Sequence, residues 1–282
     1  MFKHLFCGIL LISTFCFFAC SDPNGDDDLQ DGATKTITAG GTSIEVVYVA
    51  PGKFTMGVEG ITVVEDDELQ VNLRDVTLTK GFWISKYPIT QSQYEAVMDT
   101  NPARYFDRID NKNHPVERVT WYNASGFAQK VGGRLPTEAE WEFAARGGSK
   151  SKKFTYSGSN NIDDVAWYFL NLPDTTSGSE GRSTQPVGKK LPNELGIYDM
   201  SGNVWEWVND WWSDFGTAAV TDPKGPAVGD KRVIKGGCWW FKHERYNRVG
   251  SRFNDEPDAS WLNYGFRIVF DVRWSGFSEH LP

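Results

Sequence analysis

The chain has 282 residues, 40% hydrophobic and 14% aromatic, with 28 glycines and 12 tryptophans. Such a composition suits one large domain with a sizeable core and many irregular connections. Acidic residues outnumber basic ones 37 to 29, a balance that argues against nucleic acid as a partner, whose phosphates need a basic face.

In chain order, Lys3 and His4 precede an apolar run from Leu5 to Phe18, which closes with Ala19-Cys20. A small residue before the cut is what signal peptidases accept, and a cysteine directly after it resembles a bacterial lipobox. That resemblance implies a signal peptide over 1–19 and a lipid on Cys20 that attaches the chain to a membrane. The place implied is the bacterial cell envelope, as an outer-membrane lipoprotein, with surface exposure as one option. An ordinary secretory signal or a membrane anchor is the alternative, although the run is short of the roughly 20 residues of a spanning helix. Ser21 to Thr34 holds five aspartates, two glycines and a proline. It has too little apolar mass to offset ordering entropy, so 20–35 reads as an acidic tether and 36–282 as the folded domain. Without Lys3 and those aspartates, 28 basic and 32 acidic residues remain.

The domain opens with Ile44–Val49 and Phe54–Gly57, read as two strands around a Pro51-Gly52 turn. Residues 61–76 read as an exposed acidic loop, and 76–79 with 81–84 as a second strand pair. Thr90 and Gln93 form a capping box that starts a helix over 90–98, with Tyr94, Val97 and Met98 inward. A second helix is expected near 120–131, burying Trp121, Ala124, Phe127 and Ala128. Thr137 and Glu140 cap a third, ended by Gly147-Gly148. Glu138, Glu140 and Glu142 sit where glutamates usually answer the helix dipole or the cap, so they read as structural. Residues 150–190 are the least regular, with Ala166-Trp167-Tyr168 as their buried anchor.

The stretch from Gly196 to Trp207 is the densest in chemistry. Asp199 and Glu206, with the carbonyls of Gly202 and Val204 between them, could give a hard cation such as Ca²⁺ four of the six to eight oxygens it wants. The alternative is a Gly/Asn turn between buried aromatics, with Glu206 in a salt bridge.

Asp199-Met-Ser-Gly-Asn-Val-Trp-Glu-Trp207 resembles the signature of the formylglycine-generating enzyme, or sulfatase-modifying factor, family. Gly133–Glu142, Arg232–Gly237, Gly265-Phe-Arg267 and Tyr87–Thr90 resemble further parts of its pattern. The resemblance covers about residues 44–270. It implies an irregular, loop-rich α+β fold in a single domain, related to C-type-lectin-like folds. It also implies one Ca²⁺ site at Asp199, Gly202, Val204 and Glu206. A second calcium site of the family is not carried over, because Trp167 stands where that site uses Asn.

Enzymes of the resembled family oxidise a substrate cysteine with two copper-binding thiols, and soft Cu(I) prefers thiolates. Counting from Gly236-Gly237, those thiols fall at Phe241 and Tyr246. Of four cysteines, Cys7 and Cys16 lie in the signal and Cys20 is the lipid site, which leaves Cys238 alone. Copper is therefore not expected, and no catalytic residue is assigned. His114, His243 and His280 show no metal-ligand spacing. Trp240, Phe241, His243 and Tyr246 instead combine aromatic faces with charged neighbours, as ligand-binding surfaces do, while Trp239 reads as core. The expectation is a non-catalytic module for a protein or glycan ligand, or for assembly. The alternatives are a working formylglycine-generating oxidase and a structural part of a gliding or secretion complex.

Overall fold

In a computed structural model, the structure describes residues 29–58, 61–64, 67–70, 72–104, 111–173, 183–214 and 216–272. Cys20, the signal peptide expected over 1–19 and most of the acidic stretch lie outside them. Among the described residues, no helix is long and apolar enough to cross a membrane.

Two four-stranded sheets carry the fold. The first runs β1 (Thr34–Ala39), β2 (Thr42–Val49), β7 (Phe82–Ser85) and β13 (Val269–Asp271), with every neighbour antiparallel. Gly40 and Gly41, at φ +58° and +79°, join β1 to β2. Two central residues at positive φ are what a tight two-residue hairpin needs. The second sheet runs β11 (Arg252–Asp255), β10 (Arg232–Lys235), β8 (Trp205–Trp211) and β12 (Tyr264–Phe266), with β8 and β12 parallel. A smaller sheet joins β3 (Gly52–Met56), β6 (Arg74–Leu78) and β9 (Val220–Thr221), and β4 (Ile61–Val64) pairs with β5 (Asp67–Gln70).

The expected strands exist but do not pair with each other. Both edges of β2 are taken, by β1 and β7, so β3 crosses to a different sheet and pairs with β6. For the same reason β6 and β7 follow each other in sequence yet lie in separate sheets. Part of the expected acidic loop is the β4–β5 hairpin. The expected tether also ends too late. Asp31 is buried and accepts hydrogen bonds from Ala50 N (2.5 Å) and Ser149 N (3.0 Å), and β1 begins at Thr34.

Two helices begin at their expected caps, Thr90 and Thr137, and the helix between them has a capping box of its own at Thr120. Thr90, Thr120 and Thr137 close capping boxes on α1 (Gln91–Met98), α2 (Trp121–Lys130) and α3 (Glu138–Ala145). One core cluster stacks Tyr94 of α1 on Phe127 of α2 (5.7 Å) and sets Phe127 edge-on to Phe266 of β12. The other gathers Trp141 and Phe143 of α3 with Met200, Val208 and Val233. A satellite cluster of Tyr156, Tyr168 and Ala166 packs with α4 (Ile162–Val165). Trp167 is not in it, so the expected anchor is Ala166 and Tyr168.

The three glutamates of α3 are structural. Glu138 makes two 2.8 Å bonds to Arg252, and Glu140 grips Arg134 at 2.7 Å while capping the helix. Glu142, fully buried, meets Lys235 at 3.0 Å, Arg146 at 2.7 Å and the amide of Gly57. Burial pushes its pKa up, but the charges of Lys235 and Arg146 outweigh that and hold it at about 2. Asp210 of β8 is the opposite case. Burial, and then the nearby Glu138 carboxylate, push it up to about 7, although Oδ2 accepts the Glu138 amide at 2.9 Å.

A folded-state pKa above the unfolded value gives stability that is present at low pH and lost as pH rises through about 7. Asp210→Asn keeps the acceptor and removes the charge. At pH 8 it is expected to be more stable than wild type by roughly 2–4 kcal/mol, at about 1.4 kcal/mol per pKa unit. At pH 4 the two should converge, as read by urea melts at both pH values.

Candidate functional site

The turn from Asp199 to Glu206 ties the two main sheets together. Gly202 sits at φ +80°, and a Cβ there would lie 2.5 Å from the Trp167 carbonyl oxygen, so only glycine fits. Asn203 pairs through both ends of its amide with the backbone of Gln185, at 3.0 Å each. Asp199 Oδ2 accepts the Gly188 amide at 2.7 Å, and burial raises its pKa to about 6.

Glu206 is already engaged. Its Oε2 accepts Arg267 Nε at 2.7 Å and Trp141 Nε1 at 2.6 Å, and Oε1 accepts Arg267 Nη2 at 2.8 Å. The remaining donors of Arg267 reach Ser85 O (3.0 Å) and Tyr198 O (2.9 Å), so one buried guanidinium joins β7, β8 and the turn. This is the salt-bridged reading of Glu206. As a calcium set, the turn fits in part. Asp199 is a buried acid whose charged form a cation would favour. Glu206 has used three of its roughly four lone-pair sites, and it brings a compensating cation with it. Among the described residues, no three His, Cys, Asp or Glu side chains group as a metal site.

The segment after Gly237 places the other candidates. Cys238 is fully buried and receives Asn263 Nδ2 at 3.1 Å; burial pushes its thiol up to about 12, so it packs as a neutral thiol. Trp239 is core, and Trp240 stands edge-on to it at 5.2 Å, 48% exposed. Phe241 and Tyr246 meet with ring centroids 4.8 Å apart and pack against the core. Exposed His243 lies 6.2 Å from the Tyr246 ring. Of the four candidates, Phe241 and Tyr246 are half-buried and paired, with His243 beside Tyr246, while Trp240 packs on Trp239; Trp240 and His243 are exposed. Sequence reasoning missed the partners of the buried carboxylates, Lys235, Arg252 and Arg267. They lie 93, 114 and 61 residues from Glu142, Glu138 and Glu206, and no local spacing signals them.

A family model for the sulfatase-modifying factor enzyme 1-like domain matches residues 33–272. A chaperone protein, LppX, of Paenibacillus barcinonensis is 34% identical over 84% of this chain and 94% of its own. The formylglycine-generating enzyme of Bos taurus is 39% identical over 62% of this chain. This chain spans about half of that enzyme's length, 46%. Among solved structures, Treponema denticola variable protein 1 superposes with a TM-score of 0.71 at 29% identity, over 84% of this chain and 98% of its own. PvdO from Pseudomonas aeruginosa gives 0.66 at 26%, over 86% and 100%. The chain belongs to the sulfatase-modifying factor family, with an irregular, loop-rich α+β domain. The paired thiols of the family's oxidases have no counterpart in it, since Cys238 is the only cysteine beyond residue 20.

Proposed function

From that membership we propose a non-catalytic binding or assembly module of the bacterial cell envelope, held at the membrane by a lipid on Cys20. The observation that carries it is the Phe241–Tyr246 ring pair, which stands at the positions where the resemblance puts the oxidase thiols. Two rings packed on the core supply a firm base and no redox chemistry. Trp240 and His243 then form the face that meets a protein or glycan ligand. The name of the Paenibacillus relative, a chaperone, supports the assembly side of this reading. A photo-crosslinking residue in place of Trp240 should trap a defined adduct in intact envelopes. The same residue in place of exposed Val228 should not. Equal labelling at both positions, or none at 240, would contradict the proposal.

Calcium belongs to the same proposal. Asp199, one oxygen of Glu206 and the carbonyls of Gly202 and Val204 would hold it, and the ion would supply charge compensation to a buried turn. A ligand of the native state raises stability by mass action. Chelation should therefore lower the melting temperature at pH 7.5 and leave Asp199→Ala unaffected. The chelator effect should shrink at pH 5, because Asp199 titrates near 6 and its protonated form competes with the ion. Identical melting with and without chelator at pH 7.5 would remove calcium from the account.

A further inference from the structure

Just past Tyr246 in the chain, Arg248, Val249 and Gly250 line a cleft of about 610 Å³ that does not include the four candidates above. Its size falls within the range of roughly 300–1,000 Å³ typical of small-molecule sites. Arg146, Lys153 and Arg248 line it, together with Val58, Phe154 and Val249. Among the described residues, no carboxylate lines it.

The three cations are not equally spent. Arg146 gives Nε and Nη2 to Glu142, and Nη2 also to Gly57 O. Yet Glu142 and Glu138 also serve Lys235 and Arg252, which makes three cations on two carboxylates. Arg248 has a buried Nε with no hydrogen-bond partner. Leaving a buried charged donor unsatisfied is costly, so the guanidinium gains from an anion at the cleft it lines, and its fork suits the geometry of an oxyanion. Tyr156 lies between Arg248 and Glu244: its hydroxyl donates to Glu244 Oε2 at 3.3 Å, and it also meets the Arg248 side chain. At the floor, Gly57 and Gly250 approach so closely that a Cβ on Gly250 would lie 2.6 Å from Gly57 O. Gly57 O also accepts Arg146 Nη2, which holds that guanidinium at the cleft.

We propose that this cleft binds a small organic oxyanion, a carboxylate or a sulfate or phosphate ester, through Arg248, Arg146 and Lys153. The ligand's apolar body rests on Phe154, Val58 and Val249. Oxyanion chemistry follows from the charge of the three lining cations, and an organic body follows from the apolar walls.

Calorimetric titration at fixed ionic strength with phenyl phosphate, phenyl sulfate and benzoate tests it, with benzylamine and benzyl alcohol as controls. At least one of the three anions should bind saturably, and neither control should. Which anion binds best separates phosphoryl, sulfuryl and carboxylate ligands. Arg248→Met should weaken binding at least tenfold, and Arg248→Lys, which keeps the charge but loses the fork, should also weaken it. Exposed Lys153→Met keeps the test valid if an Arg248 variant melts early, and it should weaken binding severalfold. Lys53→Met, exposed and outside the cleft, should change nothing. Binding by none of the anions, or binding that Arg248→Met and Lys153→Met leave intact, overturns the proposal.

Discussion

Replacing Arg267 by Met is expected to destabilise the domain by about 3–5 kcal/mol, the range for breaking a buried ion pair from one side. The side chain is fully buried and donates to both oxygens of Glu206 and to the carbonyls of Ser85 and Tyr198. Met fills much of the volume but leaves Glu206 charged, desolvated and held only by Trp141 Nε1 at 2.6 Å. Adding Glu206→Gln removes that charge and keeps an acceptor for Trp141. The double variant should therefore recover part of the loss, and that recovery separates a charge effect from a packing effect. Urea unfolding of the three proteins reads both numbers. A single-variant loss below about 1 kcal/mol would mean the pair behaves like an exposed one, and its place as the tie between β7, β8 and the turn would fall.

What was legible in the sequence was local. The capping boxes of Thr90 and Thr137 are decided within four residues, so they could be read directly. The same holds for the Gly147-Gly148 stop after α3, where both residues take positive φ. The structural roles of Glu138, Glu140 and Glu142 followed from their place in the helix, but their partners did not. Strand pairing was misread wherever it depended on distant chain. The Pro51-Gly52 turn looks like a hairpin because nothing nearby reveals that β1 and β7 already occupy both edges of β2. Composition places Asp31 in the tether, whereas its burial depends on amides at Ala50 and Ser149.

The family's signature residues divide in the same way. Arg267, Glu206, Gly202 and Asn203 are all engaged in holding the turn and the sheets, and none of them needs a thiol to do so. The domain can therefore keep its fold without a thiol pair. The one remaining thiol, Cys238, is buried and pushed up to about 12, so almost none of it is thiolate at neutral pH. A single protonated sulfur gives Cu(I) neither of the two thiolates that linear coordination requires. Loss of both ligands removes the chemistry outright instead of slowing it.

The most direct test of the non-catalytic reading is a mass assay on a peptide substrate. Purified protein is incubated with Cu(I), oxygen and a peptide carrying a sulfatase Cys-x-Pro-x-Arg motif, and the peptide mass is followed over hours. The account predicts an unchanged peptide at any protein concentration, identical to a no-enzyme control. Conversion of the peptide cysteine to the aldehyde, abolished by Cys238→Ser, would contradict it and make the protein an oxidase.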